Sequence, residues 1–241
     1  MATAGGANIV TDGLVLALDA ANVKSYPGSG TTWYDLSGNG NNGSLINSPT
    51  YVVDNFGTFT IDGTNEYFTA SGVVTTTSWS AFLWFKYNGQ TEFTLRGHRT
   101  FFSTNTFRYQ WDDTNSTTVG RGPFSGFNAD SGAIAYGTMG GSLTPSSLFG
   151  KWHLVGMTCD GSTVRNYMNG VEVGSLGASK IFSTNGLLRI SLDGISGIGS
   201  DDPLYEAGGD TIIGMFTHYN RPLSLTEIIQ NYKVQKSRFN L

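Results

Sequence analysis

The sequence of 241 residues holds little of what marks a reactive centre. It has one cysteine, Cys159, so no intrachain disulfide forms within it, and the thiol reads as a small buried residue in an apolar strand. Charged residues make up only 13%, and the net charge of −4 leaves no basic stripe of the kind that nucleic-acid binders carry. The three histidines, His98, His153 and His218, are far apart and share no H-x-x-x-H or H-x-H spacing, so they read as ordinary strand or loop residues rather than metal ligands. No apolar run approaches the roughly 20 residues of a membrane-spanning helix, so no membrane partner is expected. The opening MATAGGANIV lacks a basic segment followed by an apolar one, so the expectation is synthesis in a cytoplasm without a secretory signal. In that setting the sequons at Asn42 and Asn115 read as turns.

What is present is glycine, at 33 residues, with abundant Ser, Thr and Asn and 13% aromatics. That mixture predicts many short strands joined by tight turns, not disorder. LVLALDAAN alternates, with Leu14, Leu16 and Leu18 on one side and Val15, Ala17 and Asp19 on the other. SYPGSGTTWYDLSGNGNNGSL is loop chemistry. GTFTIDGTNEYFTA predicts strands at Thr58–Ile61 and Glu66–Thr69 about an Asp62-Gly63 turn. SWSAFLWFKYN is apolar on both faces: Trp79, Ala81, Leu83 and Phe85 alternate with Phe82 and Trp84, as in a strand covered on both sides. Lys151–Ser175 predicts a three-stranded meander turning at Asp160-Gly161 and Asn169-Gly170. Between Arg96 and Gly150 the pattern loosens into short strands and long loops rich in aromatics. One segment breaks the habit. In YNRPLSLTEIIQNY, Ser224 and Glu227 form a capping box, and Leu223 with Ile228 a hydrophobic staple. Leu225, Ile228, Ile229 and Tyr232 share one face of the helix this predicts, over about 225–236.

Candidate chemistry is sparse. Glycoside hydrolysis needs two carboxylates about 5–10 Å apart. The strand-borne acids Glu66, Glu92 and Glu172 are isolated, and no E-x-D-x-x-E stretch occurs. The densest acidic stretch, SDDPLYEAGGD, contains Asp201, Asp202, Glu206 and Asp210. It is compatible with a calcium loop or with a solvated loop, the commoner state of such a segment. For saccharide binding the strongest stretch is FRYQWDDTN, where Arg108, Tyr109, Trp111, Asp112 and Asn115 combine aromatic platforms with planar polar groups. The competing reading is a strand with core aromatics and a turn at Asp112-Asp113.

In order along the chain, IDGTNEYF, WSAFLWFK, KWHLVGMTCDGSTVRNYMNGVEVGS and YNRPLSLTEIIQNY resemble a laminin-G-like, concanavalin A-like jelly roll from about Gly13 to Tyr232. The resemblance implies an all-β sandwich of two antiparallel sheets with one short helix covering a sheet face. The division is an arm at 1–12 and a domain at 13–241. Such domains often carry an aspartate in the last strand, where this chain has Gly214, so a family-type metal site is not expected and no cofactor is assigned. The segments IVTDGLVLALDAANVKSYPGSGTTWYDLSGNGNNGSL and EIIQNYKVQKSRFNL resemble laminin-G-like structural proteins of tailed bacteriophages, cyanophage-type myoviruses in particular. That second resemblance implies a non-enzymatic virion protein, a capsid decoration or head fibre. It would be homo-oligomeric and held to other virion proteins by residues 1–10, by the last residues, or by both. The alternative is a tail-fibre adhesin for host surface carbohydrate, with a glucanase-type hydrolase as a remote third.

Overall fold

The computed structural model describes residues 8–61, 65–71, 76–88, 98–104, 107–112, 123–127, 150–177, 187–191 and 211–241. Four short strands come first: β1 (Leu14–Asp19), β2 (Thr32–Trp33), β3 (Gly43–Ile46) and β4 (Thr50–Val52). Next are β5 (Thr58–Ile61), β6 (Tyr67–Ser71), β7 (Trp79–Tyr87), β8 (His98–Ser103), β9 (Phe107–Asp112) and β10 (Pro123–Phe127). The expected meander is β11 (Trp152–Cys159), β12 (Thr163–Met168) and β13 (Val171–Gly177). After β14 (Leu187–Ile190) and β15 (Thr211–Tyr219) come helix α1 (Leu225–Gln235) and a 3-10 turn at Lys236–Phe239. All pairings are antiparallel. One sheet runs β13-β12-β11-β7-β15-β5-β4, with β1 also on β15, and the other runs β10-β9-β8-β14-β6-β3-β2. This is the concanavalin A-like sandwich that the sequence implied. The Asp62-Gly63 turn lies outside the described residues.

Strand β7 behaves as its two-faced apolar pattern requires. Trp79, Ala81, Leu83 and Phe85 enter the core between the sheets, while Phe82 and Trp84 join a second apolar cluster on the outer face of the eight-stranded sheet. Cys159 is buried in the inner core beside Val155 and Met157. The β12–β13 hairpin turns through Asn169 (φ 52°) and Gly170 (φ 81°), the pair of positive φ values that a two-residue turn between twisted strands demands. Asn169 adds a brace: its Oδ1 accepts from Leu154 N at 2.9 Å and its Nδ2 lies 3.1 Å from His153 Nδ1.

The outer cluster explains the helix. Phe82, Trp84, Trp152, Leu154, Tyr167, Met215 and Tyr219 would face water without cover, and Ile228, Leu223, Phe239 and Val10 supply it. The capping box is present: Glu227 Oε2 accepts from Ser224 N at 2.8 Å, and Ser224 Oγ accepts from Glu227 N at 3.4 Å. Arg221 grips Glu227 with two hydrogen bonds at 2.6 and 3.0 Å. One expectation fails. Leu225 stays exposed, because the inward face is set by Asn231, which is buried and bonds Val10 N at 2.8 Å and Tyr219 Oη at 3.0 Å. The same bonds, with Tyr219 Oη donating to Val10 O at 3.1 Å, seat Val10 in the domain. Ile9 packs beside it, so these two residues of the expected 1–12 arm lie against the domain.

Strand β15 has a break along one edge. Thr211–Ile213 pair with β5 and Met215–Tyr219 pair with β1, with a bulge at Gly214 between the two runs. A Cβ on Gly214 would lie 2.8 Å from Phe239 Cε1, and that ring is stacked 4.3 Å from Trp84 and packed 4.5 Å from Trp152. Glycine suits position 214 because an aromatic ring lies directly on its backbone. We expect Gly214→Ala to lose about 1–3 kcal/mol of stability, read as a lower thermal midpoint; an unchanged midpoint would show that the ring is free to move.

Acid should weaken the fold in two steps. His218 is buried against Trp79, and the loss of hydration holds its folded-state pKa down from 6.5 to about 4. The unfolded chain therefore takes up a proton first as pH falls below about 6.5, and about 3 kcal/mol drains away by pH 4. Glu227 follows: Arg221 holds its carboxyl down from 4.5 to about 2, so the stability it contributes above pH 4.5 is lost as pH falls through that lower range. Chemical denaturation from pH 7 to 3 tests this. His218→Phe should flatten the upper step alone, and a wild-type stability that does not change between pH 6.5 and 4.5 contradicts it.

Candidate functional site

The stretch favoured for saccharide binding forms β9, and it divides. Tyr109 is fully buried between the sheets, 5.3 Å from Phe101 and 5.1 Å from Phe102, with its hydroxyl donating to Gly156 O at 3.4 Å. Burial pushes its phenol pKa strongly up. Tyr109 is a core residue, not a platform: strand alternation turned it inward, where its ring closes the gap to β11. Of Arg108, Trp111 and Asp112 the structure gives register only. Arg108 lies opposite Ser103 and Gly126, Trp111 opposite Arg99 and Pro123, and Asp112 opposite His98. Asn115, and the acidic residues Asp201, Asp202 and Asp210, lie outside the described residues. Among the described residues no three of His, Cys, Asp and Glu are placed to hold a metal ion.

The two sheets treat their outer faces differently. That of the eight-stranded sheet is sealed by α1, Phe239 and Val10. That of the seven-stranded sheet carries a polar row set by register. Thr32 pairs with Ser44, Ser44 with Thr69, Thr69 with Arg189, Arg189 with Ser103, and Ser103 with Arg108. Directly opposed residues of antiparallel strands share a face, and the intervening row of Leu45, Phe68, Ile190, Phe102 and Tyr109 is core. Access changes along the polar row: Ser44 is exposed, Thr69 and Arg189 are half-buried, and Ser103 is fully covered. The row is a shelf, open over β3 and β6 and closed over β8.

An aromatic ring stands at the rim of this shelf. Alternation through Thr32-Trp33-Tyr34 sends Trp33 into the core, packed on Phe59 and Phe68, and leaves Tyr34 46% exposed. Its backbone is fixed by Ser25, whose carbonyl accepts from Tyr34 N at 2.7 Å and whose hydroxyl donates to Tyr34 O at 2.6 Å.

The glycine- and asparagine-rich loop that follows is tied down by side chains. Asp35 accepts from Ala17 N at 2.9 Å, Ser37 N at 2.8 Å, Ser37 Oγ at 2.7 Å and Asn41 N at 3.0 Å. Asn39 and Asn41 donate to Val15 O at 3.3 and 2.9 Å, and Ser37 Oγ donates to it at 2.9 Å. These groups stand in for a neighbouring strand on the otherwise open edge of β1. Asp35 takes no part in ligand chemistry on this geometry, since its oxygens already face four donors. Sequence reasoning passed over Tyr34, Ser44, Thr69 and Arg189, because none forms a local motif. The usable signal was the adjacent pair Trp33-Tyr34, of which a regular strand covered on one face alone buries only one.

A laminin-G family model, described as the concanavalin A-like lectin/glucanases superfamily, matches residues 62–229. No curated protein matches the chain in sequence. Among solved structures it is similar to the binding domain of paraclostridial mosquitocidal protein 1, with TM-score 0.67 and 16% identity over 92% of this chain and 52% of that one. It is similar to domain 4 of an extracellular arabinanase from Geobacillus stearothermophilus, solved with arabinotriose, with TM-score 0.65 and 16% identity over 91% of this chain and 98% of that one. The receptor-binding domain of botulinum neurotoxin type G gives TM-score 0.63 and 18% identity over 93% of this chain and 52% of that one. The chain thus spans about half the length of the toxin binding domains, and at these identities the likeness is one of fold. Matched by the family model over most of its length and built as the same two-sheet sandwich, the chain belongs to the concanavalin A-like lectin/glucanase superfamily.

Proposed function

We propose that the protein is a non-catalytic, lectin-like adhesin that binds surface saccharides on the open shelf of its seven-stranded sheet. The observation that carries this is the pairing of an exposed aromatic, Tyr34, with a row of hydroxyl groups at Thr32, Ser44 and Thr69. A sugar presents an apolar ring face and a rim of hydroxyls. It needs a flat apolar surface for the first and convergent polar groups for the second. The arabinotriose complex of the arabinanase domain supports the reading by fold analogy alone.

The absence of catalysis is part of the proposal. It is supported by the work the best-placed carboxylates already do: Asp19 holds Arg238, Asp35 holds backbone N–H groups, Asp160 holds Arg165 and Glu227 holds Arg221.

The reading as a capsid decoration attached through the ends of the sequence has less behind it. Ile9, Val10 and Phe239 are used inside the fold, and Arg238 binds Asp19, Gly57 O and Gly214 O. A particle-borne adhesin remains compatible with the resemblance of those segments to phage proteins.

Titration of the purified chain against a panel of plant, bacterial and algal polysaccharides tests the proposal. Tyr34→Ala should weaken binding about tenfold, equivalent to ~1.4 kcal/mol, with the thermal midpoint unchanged because the ring lies outside the core. Failure to bind any polysaccharide, or equal binding by Tyr34→Ala, would overturn it.

A further inference from the structure

We infer that the shelf takes an extended oligosaccharide, a chain of several sugar units lying diagonally between two aromatic platforms, Tyr34 and Tyr67; the inference rests on the saccharide-binding reading above. Which residues face outward follows from the core beneath them. In β6, Phe68 and Ala70 are core, so Tyr67, Thr69 and Ser71 point to the outer face. In β3, Leu45 is core, so Ser44 and Ile46 point the same way. Ser44 pairs with Thr69, and Ile46 with Tyr67. The outer face therefore carries a second aromatic residue, half-buried, with an apolar neighbour directly opposite it.

The pairings set the two rings at opposite corners of the open part of the shelf. Thr32 pairs with Ser44 and Trp33 with Gly43, and Gly43 in turn pairs with Ala70. Continuing that register puts Tyr34 level with Ser71, while Tyr67 lies at the other end of β6. The offset is roughly 13 Å along the strands and about 9–10 Å across the two strand spacings from β2 to β6, or about 16 Å corner to corner. That span is several sugar rings long. Ser44 stands midway along the diagonal, exposed, with Thr32 and Thr69 on either side of it. The diagonal crosses only β2, β3 and β6, whereas the covered Ser103 lies on β8, beyond β14.

Each ring offers a flat apolar surface to the apolar face of one sugar unit, and the hydroxyls between them donate to and accept from the hydroxyls of the units that bridge the two. A single sugar reaches one ring only. A longer chain reaches both, and its second contact forms within a molecule already held by the first, so it adds affinity without a second loss of translational freedom. Both corners are held by the fold. Tyr34 is fixed through its backbone by Ser25. At the other corner Asn47 Nδ2 donates to Asn65 O at 2.7 Å, which ties the turn after β3 to the approach to β6. A spacing set by the sheet makes chain length and linkage geometry the selected properties, rather than the identity of a terminal sugar.

The test is a titration of the intact chain with cello-, laminari-, xylo- and arabino-oligosaccharides, each as the mono-, di-, tri-, tetra- and hexasaccharide. In the series that binds, the hexasaccharide should bind at least about tenfold tighter than the monosaccharide. Tyr67→Ala should weaken the hexasaccharide about tenfold and leave the monosaccharide little changed. Tyr67→Phe, which keeps the ring, should bind as the wild type does. Tyr67→Ala is compared with the wild type on every oligomer and every polysaccharide that binds, and Tyr67→Leu, which keeps apolar bulk without a flat face, serves if the alanine variant fails to fold. Equal affinity for monosaccharide and hexasaccharide overturns the extended-chain inference and leaves the saccharide-binding proposal standing. Binding that Tyr34→Ala weakens and neither Tyr67→Ala nor Tyr67→Leu affects overturns the second platform in the same way. Binding to no oligomer and to no polysaccharide of the wider panel removes both.

Discussion

The ladder along β15 changes partners at Gly214, and the rest of the architecture depends on closing that break. On one side of Gly214 the strand bonds β5, and on the other it bonds β1. Between them the edge leaves a gap, in which Gly214 O accepts from Ala20 N at 3.1 Å. Arg238 closes the gap: its guanidinium reaches Asp19 at the end of β1, Gly57 O at the approach to β5, and Gly214 O itself. Phe239, the next residue, lays its ring on the glycine and stacks on Trp84. Charge-assisted bonds of this kind are worth about 1.5–3 kcal/mol each when partly shielded, so two consecutive residues tie three separate strands together.

That closure explains why a sandwich of short strands ends on a helix. The outer face of β7, β11 and β15 is aromatic and cannot be left in water. Helix α1 brings Ile228 onto it, and the turn beyond brings Phe239. Asn231 is the polar exception on the buried side, and it is retained because it receives Val10 N and donates to Tyr219 Oη. A leucine there would leave Val10 N without its acceptor and remove the donor to Tyr219 Oη. Ile9, Val10 and Phe239 are therefore bound into one apolar surface with the helix.

Much of this was legible in the sequence where local geometry and burial agreed. The two-faced pattern of Trp79–Phe85, the Asn169-Gly170 turn and the Ser224–Glu227 capping box each impose their structure over a few residues. What was not legible depends on partners distant in sequence. Gly214 looked like a lost metal ligand because nothing near it announces Phe239. The asparagine-rich loop read as featureless because its function is to satisfy the edge of β1, more than twenty residues earlier for Asn39 and Asn41. Tyr109 was open to both readings, platform or core, because a strand of aromatics and polar residues does not show which side faces in.

The candidate site illustrates the same limit from the opposite direction. Thr32, Ser44, Thr69 and Arg189 come from four strands scattered over more than half the chain, and only register assembles them. Each is unremarkable alone: a threonine on a short strand, a serine after a glycine, an arginine between leucine and isoleucine. The sheet makes them a row because side chains repeat every second residue and opposed residues share a face. The burial of Trp33 leaves its neighbour Tyr34 at the rim, 46% exposed. A surface built this way owes its shape to the core beneath it. The inward residues of each strand hold the fold, while the outward residues set the chemistry of the surface.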